Sequence, residues 1–512
     1  MKRERLIEGV LCAHPGVRDA VVVRDASSAL FAFVIADDDY MDSVLGRRAE
    51  GASVVGKWRK ASDLSQLAKE ASSAPVGFNR LGWDSSYTRK PIPDEVMHEW
   101  VEETVAEILR LGAKSVYEIG CGTGMLLTRI APSCDRYVGV DFAPVVLARL
   151  KEQLGTMPAL AERVEVMERV ADDFSGIEKE SFDAVVMNSV LQYFPNVAFL
   201  TEVLEDAVKI VRPGGHVFVG DTRSLPLLPA FASSVELFQA ADEMGVAELR
   251  NRVNRRLARE QELVISPSHF LQLQQGLSRI SRVEICPLRG YADSEMTRYR
   301  FHAILHVGHG RESLPEIEFL DWTERNWSLD DIRSMLQRRR GESIGIKRIQ
   351  NARLEKDLMT LAILRNAGLT CTAGELRSKA EQEAQSGIHP QSLFDLESEE
   401  LGFTVSLSWA ACRSDGSYDA CFLSTRSQGK LASATIRWPQ PEASEIVCFA
   451  NAPGQRIIRG ELIRQLGAHC AERLPAETGL LDIELVDTLP RNVAGEVDAS
   501  ALLAHRTASH LF

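Results

Sequence analysis

Long apolar runs are scarce in this 512-residue sequence. None approaches the roughly 18 residues that a membrane-spanning helix needs. The charged start, Met1–Arg5, leads into a helical pattern rather than a signal peptide. The nine cysteines are scattered without a C-x-x-C pair, which argues against a zinc site and against a disulfide framework. We therefore expect a cytoplasmic protein with no membrane contact and no bound metal.

Positive charge is also in deficit. The chain has 59 Lys and Arg residues against 72 Asp and Glu residues, a formal net charge of −13. This balance argues against a general nucleic-acid binder. The hydrophobic fraction of 45% is ordinary for a globular protein, and the length predicts two or three domains.

A glycine-rich turn between two apolar strands is the most informative pattern that the sequence contains. The predicted strand Ser115–Ile119 is followed by Gly120, Gly122 and Gly124, and the predicted strand Tyr137–Asp141 ends in an acid. Glycines let a ligand approach the backbone, and the helix that follows presents free N–H groups at its start. The acid is placed to accept both hydroxyls of a ribose. The pattern predicts a nucleoside-cofactor site.

The spacing of this turn separates two kinds of nucleoside cofactor. The dinucleotide fingerprint is G-x-G-x-x-G, whereas this turn reads G-x-G-x-G with Glu118 two residues before the first glycine. A carboxylate there would repel a pyrophosphate but suits a cationic ligand with an amino-acid part. S-adenosylmethionine (SAM) has a sulfonium, an ammonium and no phosphate, so it fits. The order of Glu118, the glycines and Asp141 disfavours a ligand-free turn.

Strands alternate with helices around this turn, which is typical of a parallel, doubly wound α/β sheet. Two later runs, Ser281–Cys286 and Phe301–Val307, predict antiparallel strands that close the sheet. The predicted organisation has five parts: residues 1–42, a linker at 43–75, the cofactor domain at 76–309, a bridging α/β region at 310–440 and a final part at 441–512.

Four strings in the cofactor domain carry a family resemblance. They are Phe78–Thr88, Asn188–Pro195, Gly220–Leu228 and Ser294–Phe301. They resemble the methyltransferase inserted in interrupted adenylation domains of nonribosomal peptide synthetases. The flanks Glu8–Val17 and Leu489–Asp498 resemble the two ends of an adenylation C-terminal subdomain. The resemblance implies a class I SAM-methyltransferase fold, Rossmann-like, flanked by an α+β remnant of that subdomain. It also implies a synthetase module or carrier protein as partner.

Two departures from that family concern the flanks. The large adenylation core should precede residue 1, and the sequence does not contain it. Glu496 stands where the family has a lysine that contacts a carboxylate and a phosphate, so a carboxylate would invert the interaction. We expect a scaffold remnant that cannot activate an amino acid alone. The alternative is a half-module completed by another chain.

The resemblance assigns cofactor roles residue by residue. Glu118 lies under the methionine ammonium and Asp141 takes the ribose hydroxyls. Asp172 is the candidate for the adenine amino group, with Asp173 as the fallback, and Asn188 faces the reacting sulfur. The candidate cofactor-binding residues are Glu118, Gly120, Gly122, Gly124, Asp141, Asp172, Asp173 and Asn188.

Aromatic and polar side chains are the candidates for the chemistry. An aromatic cage can hold a sulfonium by cation–π attraction. Trp83, Tyr87, Tyr193, Phe194 and Tyr299 are its candidates, and we expect two of the five to be packing residues only. Near the expected mouth lie Glu295, Arg223, Asp221 and His302. Arg223 suits a substrate carboxylate, or else pairs with Asp221. The candidate catalytic residues are Tyr193, Asn188, Trp83, Tyr87, Glu295 and Arg223.

Two reactions fit one such site. In the preferred hypothesis SAM is its own substrate and cyclises to azetidine-2-carboxylate and methylthioadenosine. Stand-alone methyltransferase-like proteins of vioprolide-type pathways resemble this chain in architecture. The alternative is N-methyl transfer to an aminoacyl or peptidyl amine, the activity that the family implies. A third reading is a non-catalytic synthetase scaffold, which the intact glycine turn and Asp141 disfavour.

Overall fold

The computed structural model describes residues 2–24, 30–37, 40–41, 78, 83–308, 317–325, 327–339, 341–366, 370–383, 387–397, 401–425, 436–442, 448–475, 482–486, 488–491 and 497–502. These residues fall into two compact units. The first takes residues from Met1–Trp58, Ala258–Gln261 and Ala452–Phe512, and the second takes residues from Arg59–Leu257 and Glu262–Asn451. The predicted linker and Glu496 lie outside the described residues.

Strands are numbered here in chain order. They are β1 (Val17–Arg24), β2 (Leu30–Ala36), β3 (Ser115–Ile119), β4 (Arg136–Asp141), β5 (Val164–Glu168), β6 (Phe182–Asn188), β7 (Val211–Arg223), β8 (Ile280–Pro287), β9 (Arg300–Val307), β10 (Phe319–Asp321), β11 (Ile344–Ile349), β12 (Phe403–Ser408), β13 (Tyr418–Ser424) and β14 (Asp482–Leu485).

Helices are numbered in the same way. They are α1 (Lys2–Cys12), α2 (Asp94–Arg110), α3 (Leu127–Ile130), α4 (Pro144–Gly155), α5 (Pro158–Ala161), α6 (Val197–Ile210), α7 (Leu228–Gln239), α8 (Val246–Ala258), α9 (Pro267–Gly276), α10 (Glu295–Tyr299), α11 (Leu329–Arg338), α12 (Glu355–Arg365), α13 (Ala373–Glu383), α14 (Pro390–Phe394) and α15 (Pro453–Arg473). Within the part of the chain that the structure describes, no helix has the length and apolarity needed to cross a bilayer.

A seven-stranded sheet forms the centre of the second unit, in the order β5-β4-β3-β6-β7-β9-β8. The first five strands in that order run parallel. Strand β9 runs antiparallel to both of its neighbours. This sheet has the doubly wound topology of the class I SAM-dependent methyltransferase fold, so the predicted fold class is confirmed.

Helices cover both faces of this sheet. On one face Tyr117 and Val185 pack into a core with α6. On the other face Val116 and Ala184 pack into a core with α2, α3 and α4. A parallel sheet buried on both faces needs apolar residues at nearly every position, which explains the near-continuous apolar runs of its strands.

The strand register brings the functional strings to one edge. The carboxyl ends of the parallel strands meet there, and the start of the antiparallel β9 joins them. Cross-strand pairs at this edge are Ile119 with Val140, Ile119 with Met187, Asn188 with Gly220 and Arg223 with Arg300. Asn188 therefore lies between the glycine turn on one side and the ends of β7 and β9 on the other.

A second sheet belongs to the same unit, in the order β10-β11-β13-β12. Trp409, which follows β12, donates its backbone N–H to the carbonyl of Ile285 in β8 at 2.9 Å. Helix α12 packs beside α7. The described residues of the predicted bridging region thus share one compact unit with the methyltransferase sheet, and the five-part division of the chain stays a prediction.

The first unit joins the two ends of the chain. Strands β1, β2 and β14 form one sheet, in which β14 pairs parallel to β2 and Ile483 lies opposite Ala32. Leu11 of α1 and Leu466 of α15 are buried against this sheet in one core. The unit is therefore α+β, and its origin as an adenylation remnant stays a prediction.

Candidate functional site

The glycine turn follows β3 at the carboxyl edge of the seven-stranded sheet. The N–H groups of Gly120 and Cys121 both donate to the carbonyl of Val140 in β4, at 2.8 Å and 3.0 Å. The φ angles are +74° at Gly120, +50° at Gly122 and +79° at Gly124. All three lie in the left-handed region, where a side chain is disfavoured. The backbone itself therefore requires the alternating glycines.

The three glycines differ in what an added side chain would meet. A Cβ at Gly120 would overlap Val190, and a Cβ at Gly124 would lie 2.5 Å from Leu150. A Cβ at Gly122 would meet nothing within 4 Å. Gly120 and Gly124 thus also serve packing, whereas Gly122 borders open space that a ligand can enter.

Asp141 ends β4 beside this open space and is half-buried. Its Oδ2 accepts the N–H of Gly122 at 3.0 Å, and its Oδ1 accepts the N–H of Ala143 at 3.0 Å. Burial raises its pKa against the opposing effect of these N–H groups. A carboxylate offers about four lone-pair sites, so Asp141 keeps capacity for two ribose hydroxyls.

Glu118 lies beneath the turn and is 3% exposed. The Tyr137 hydroxyl donates to its Oε2 at 2.8 Å. Burial raises the pKa of Glu118 to about 7, and the nearby Asp141 charge adds to the rise while the Tyr137 bond opposes it. A buried carboxylate with this pKa can pair with a ligand ammonium or take a proton near neutral pH.

Two strained residues follow Asn188 along the edge. Ser189 and Asp221, at the ends of β6 and β7, both have φ of +56°. The Ser189 hydroxyl donates to Asp221 Oδ2 at 2.6 Å, and Asn188 Nδ2 donates to Ser189 Oγ at 3.2 Å. Left-handed backbone costs about 1–3 kcal/mol at a residue with a side chain and clusters at functional sites. The predicted site residue Asn188 thus belongs to a strained, hydrogen-bonded edge.

Asp221 is the centre of a buried polar network and is 1% exposed. Arg300 Nη1 lies 2.6 Å from its Oδ2, and Trp100 Nε1 donates to its Oδ1 at 3.3 Å. Its own N–H donates to Nδ1 of His302 at 3.2 Å. Burial lowers the pKa of His302 to about 4, so this imidazole is neutral. Asp221 pairs with Arg300 and not with Arg223, which corrects that alternative.

Glu295 extends the network to the segment before α2. Its Oε2 accepts the Ser86 N–H at 2.8 Å and its Oε1 accepts the Ser86 hydroxyl at 2.9 Å. Arg300 Nη2 lies 3.9 Å from Glu295 Oε1. From Asn188 outward, the edge is therefore occupied by side chains that bond to each other.

Arg223 stands at a small, shallow cleft that Glu295, Tyr299 and Arg300 also line. Arg223 Nη1 lies 2.6 Å from Glu262 Oε2. A substrate carboxylate would have to compete with this ion pair. The geometry therefore leaves the predicted role of Arg223 as a proposal.

The aromatic candidates lie in different surroundings. The Trp83 ring packs at a tilt of 50° against Trp100, the partner of Asp221, with 4.6 Å between the ring centroids. Tyr193 lies in the 3-10 turn Leu191–Tyr193 after β6, and burial raises its pKa to about 12. Phe194 is 4% exposed and packs at 5.0 Å on Phe199 in the core. Phe194 is thus a packing residue.

Tyr299 lines this cleft, and its hydroxyl oxygen lies 3.4 Å from that of Tyr87. The Tyr87 hydroxyl donates to Ser234 Oγ at 3.1 Å. The Tyr299 hydroxyl donates to Oδ2 of Asp357, a buried residue of α12. Both tyrosines are therefore held in fixed positions by polar partners.

The two acids proposed for adenine differ in availability. Asp173 accepts the N–H of Ser175 at 3.0 Å within its own turn and lies 3.4 Å from Arg169 Nη1. Asp172 is exposed in the segment after β5. Both assignments to the adenine amino group stay predictions.

Ser189, Arg300 and Asp357 were not singled out from sequence. The first two lie inside strings that carry the family resemblance, and membership of those strings is the signal in the sequence that points to them. Asp357 lies in the bridging region, 58 positions from Tyr299. Nothing in its local sequence indicates its partners.

Comparison with known proteins matches residues 117–217 to the family profile of a methyltransferase domain. The chain is also similar along nearly its whole length to peptide synthetases. It is 35% identical to chondramide synthase cmdD of Chondromyces crocatus, over 97% of this chain and 13% of that protein. It is 28% identical to cyclosporin synthetase simA of Tolypocladium inflatum, over 97% of this chain and 3% of that protein. The chain spans only these small fractions of its relatives.

Solved structures give weaker likenesses. N-methyltransferase NodS from Bradyrhizobium japonicum WM9, in complex with S-adenosyl-L-homocysteine, is 17% identical with a TM-score of 0.27, over 44% of this chain and 99% of that one. The methyltransferase domain of bacterial CtHen1-C is 18% identical with a TM-score of 0.30, over 42% of this chain and 99% of that one.

Proposed function

We propose that the protein binds SAM at the glycine turn and uses it to alkylate a nitrogen atom. One observation supports this proposal most directly: the turn leaves open space at Gly122, whose N–H donates to the half-buried Asp141 carboxylate. Asp141 would accept the ribose hydroxyls, and Glu118 would lie beneath the methionine ammonium. Further along the edge, Asp172 would take the adenine amino group and Asn188 would face the sulfonium.

The preferred reaction is the intramolecular cyclisation of SAM. Its support is the set of mutually bonded side chains beside Asn188, where a second substrate would have to enter. There Asp221 pairs with Arg300, and Glu295 accepts the N–H and the hydroxyl of Ser86. Cyclisation needs no second substrate, so a site enclosed on this side suits it. Enclosure also holds a folded methionine tail near its reactive shape.

The step balances without a further reactant. The neutral α-amine attacks the γ-carbon, the nitrogen–carbon bond forms and the bond from that carbon to sulfur breaks. Sulfur keeps the electron pair and leaves in methylthioadenosine, and one proton is released overall. The unperturbed pKa of an α-amine is about 8, so the neutral amine is accessible near neutral pH without a strong base.

N-methyl transfer to an aminoacyl or peptidyl amine is the second candidate. The similarity to peptide synthetases over 97% of the chain favours it. The acceptor amine would enter through the cleft beside Arg223 and would be delivered by a carrier protein. Tyr193, Trp83, Tyr87 and Glu295 are proposed for its surroundings, as they are for cyclisation.

The two reactions give different products. The 512-residue chain with SAM alone should yield methylthioadenosine and azetidine-2-carboxylate in equal amounts, measured by liquid chromatography and mass spectrometry. Formation of S-adenosylhomocysteine, and only with an added aminoacyl thioester, would replace cyclisation by N-methylation. Unchanged SAM in both mixtures would overturn both and favour the scaffold.

Binding is tested separately with a matched pair of aspartates. Asp141→Ala should weaken SAM binding by at least about tenfold, because hydrogen bonds to a charged group contribute roughly 1.5–3 kcal/mol. Asp183, at the opposite end of the sheet, also accepts two N–H groups, from Lys114 and Ser115. Asp183→Ala should leave the affinity unchanged. Equal affinities in calorimetry would remove Asp141 from the ribose.

A further inference from the structure

We infer that Asp357 is a positioning residue that fixes Tyr87 and Tyr299. These two tyrosines are called the tyrosine wall below. The inference rests on the proposed function and adds a residue from outside the methyltransferase sheet. Asp357 lies on α12, which follows β11 of the four-stranded sheet. It touches none of the groups proposed to contact SAM and acts through the two tyrosines.

Three donors converge on the Asp357 carboxylate, which is 5% exposed. The Tyr299 hydroxyl donates to Oδ2 at 2.5 Å and the Ser234 hydroxyl donates to Oδ1 at 2.5 Å. Arg298 Nη1 donates to Oδ2 at 3.1 Å. A carboxylate this deeply buried persists only with such partners, so its charge and the positions of its donors depend on each other.

Ser234 passes this constraint on to Tyr87. Its hydroxyl donates to Asp357 and accepts from the Tyr87 hydroxyl at 3.1 Å. The guanidinium carbon of Arg298 also lies over the Tyr87 ring, 5.4 Å from the ring centroid. Gln239 fixes the backbone of the same segment by donating to the carbonyls of Ser86 and Tyr87. One carboxylate thereby orders two tyrosines from different parts of the chain.

The tyrosine wall adjoins the network that ends at Asn188. Tyr299 lines the cleft together with Glu295 and Arg300, and Arg300 binds Asp221. Tyr87 is next in sequence to Ser86, which Glu295 holds. A shift of either tyrosine would therefore move the side chains that enclose the proposed reacting centre.

A second contact from the same segment supports this assignment. Arg353, four residues before Asp357, is 5% exposed. It donates to the carbonyls of Leu288, Gly290 and Thr297, at 2.8 Å, 2.5 Å and 3.2 Å. Leu288 and Gly290 lie in the loop before α10, and Thr297 lies in α10 itself. Arg353 thus fixes the backbone around this helix, and Asp357 binds the hydroxyl of Tyr299 on the same helix.

The test compares two buried aspartates of the bridging region. Asp357→Asn should lower kcat for SAM turnover by about 10-fold to 100-fold, the loss expected for charge-assisted hydrogen bonds. The KM for SAM should change by less than about threefold, because the SAM contacts stay intact. Asp419 is fully buried and pairs with Arg413 at 2.8 Å, away from the tyrosines. Asp419→Asn should lower the Tm but leave kcat and KM unchanged.

A double-mutant cycle separates positioning from general stability. In a Tyr299→Phe background, Asp357→Asn should have a smaller effect on kcat than in the wild type, because the shared hydrogen bond is already gone. If Asp357→Asn does not fold, Tyr299→Phe and Ser234→Ala test the same wall and should each lower kcat. An unchanged kcat in a folded Asp357→Asn variant, equal losses in both aspartate variants, or strictly additive losses would overturn the inference. A wild type that leaves SAM unchanged would overturn the proposed function and this inference with it.

Discussion

At the scale of single residues, the site is defined by buried carboxylates. Glu118, Asp221 and Asp357 are 3%, 1% and 5% exposed, and each accepts a hydrogen bond from a named side chain. Burying a charge without such partners costs several kcal/mol. Each carboxylate therefore fixes its donors as firmly as the donors fix it.

Glu118 gives a prediction about protons. Burial raises its pKa to about 7, so at pH 7 about half of the ligand-free molecules carry the proton. A SAM ammonium bound beside it favours the carboxylate and lowers that pKa. Binding should then release up to about half a proton per SAM at pH 7. Calorimetry in two buffers of different ionisation enthalpy measures this release.

The matched variant for that measurement is Glu118→Gln, which cannot titrate. It should bind SAM more weakly and without proton release at pH 7. A release equal to that of the wild type would place the titrating group elsewhere, and the ammonium would then not lie beside Glu118.

Residues that lie close together in sequence could be predicted from their spacing. Residues whose partners lie far away in sequence could not. Glu118, the glycines and Asp141 lie within 24 positions of each other around one strand–turn–strand unit, so their order alone indicated a cofactor. The partner of Glu118, Tyr137, looked like an ordinary strand residue. Asp357 meets Ser234 across 123 positions, and such pairs follow from the packing of whole elements.

At the scale of elements, hydrophobic patterning located the central strands closely. The prediction Ser115–Ile119 coincides with β3, and the prediction Tyr137–Asp141 is one residue shorter than β4. Strand β7 is less regular, because it runs from Val211 to Arg223 through a Pro-Gly-Gly segment that ordinarily ends a strand. A register shift lets Val211 pair with Phe182 before that segment, while His216 pairs with Ala184 after it. Breaker residues alone therefore do not locate the start of this strand.

The glycine turn gives a prediction with a control in the same unit. Gly112 and Gly122 both have positive φ, +70° and +50°, and an added Cβ meets nothing within 4 Å at either. An alanine at each should therefore cost a similar 1–2 kcal/mol, roughly the penalty of left-handed backbone. Only Gly122→Ala should also weaken SAM binding, by about tenfold or more, because only that space is proposed to hold the ligand.

Thermal unfolding and calorimetry on the two glycine variants make the comparison. Similar losses of Tm with a selective loss of affinity are expected. Equal affinities would show that the ligand does not approach the backbone at Gly122.

At the scale of the whole molecule, we expect a mutation in the core of one unit to leave the core of the other unit intact. Ile483 of β14 is 8% exposed in the core of the first unit. Ile483→Ala should destabilise that unit by about 2–4 kcal/mol, whereas Ile483→Val should cost about 0.5–1.5 kcal/mol. SAM affinity should not change in either variant, because every proposed SAM contact lies in the second unit.

Hydrogen exchange read segment by segment measures this effect. Amide protection should fall in β1, β2 and β14 and stay constant in β3 and β6. Equal acceleration in both sets of strands would show that the two units unfold together.

The hydrogen bonds from segment 353–357 to α10 have a practical consequence for transplanting this domain into another protein. A graft that ended at residue 309, the boundary that sequence patterning predicts, would leave the Tyr299 and Ser234 hydroxyls without their carboxylate. It would also free the carbonyls that Arg353 holds. We therefore expect a transplant to keep a working pocket when it includes α12 and the four-stranded sheet, through the end of β13.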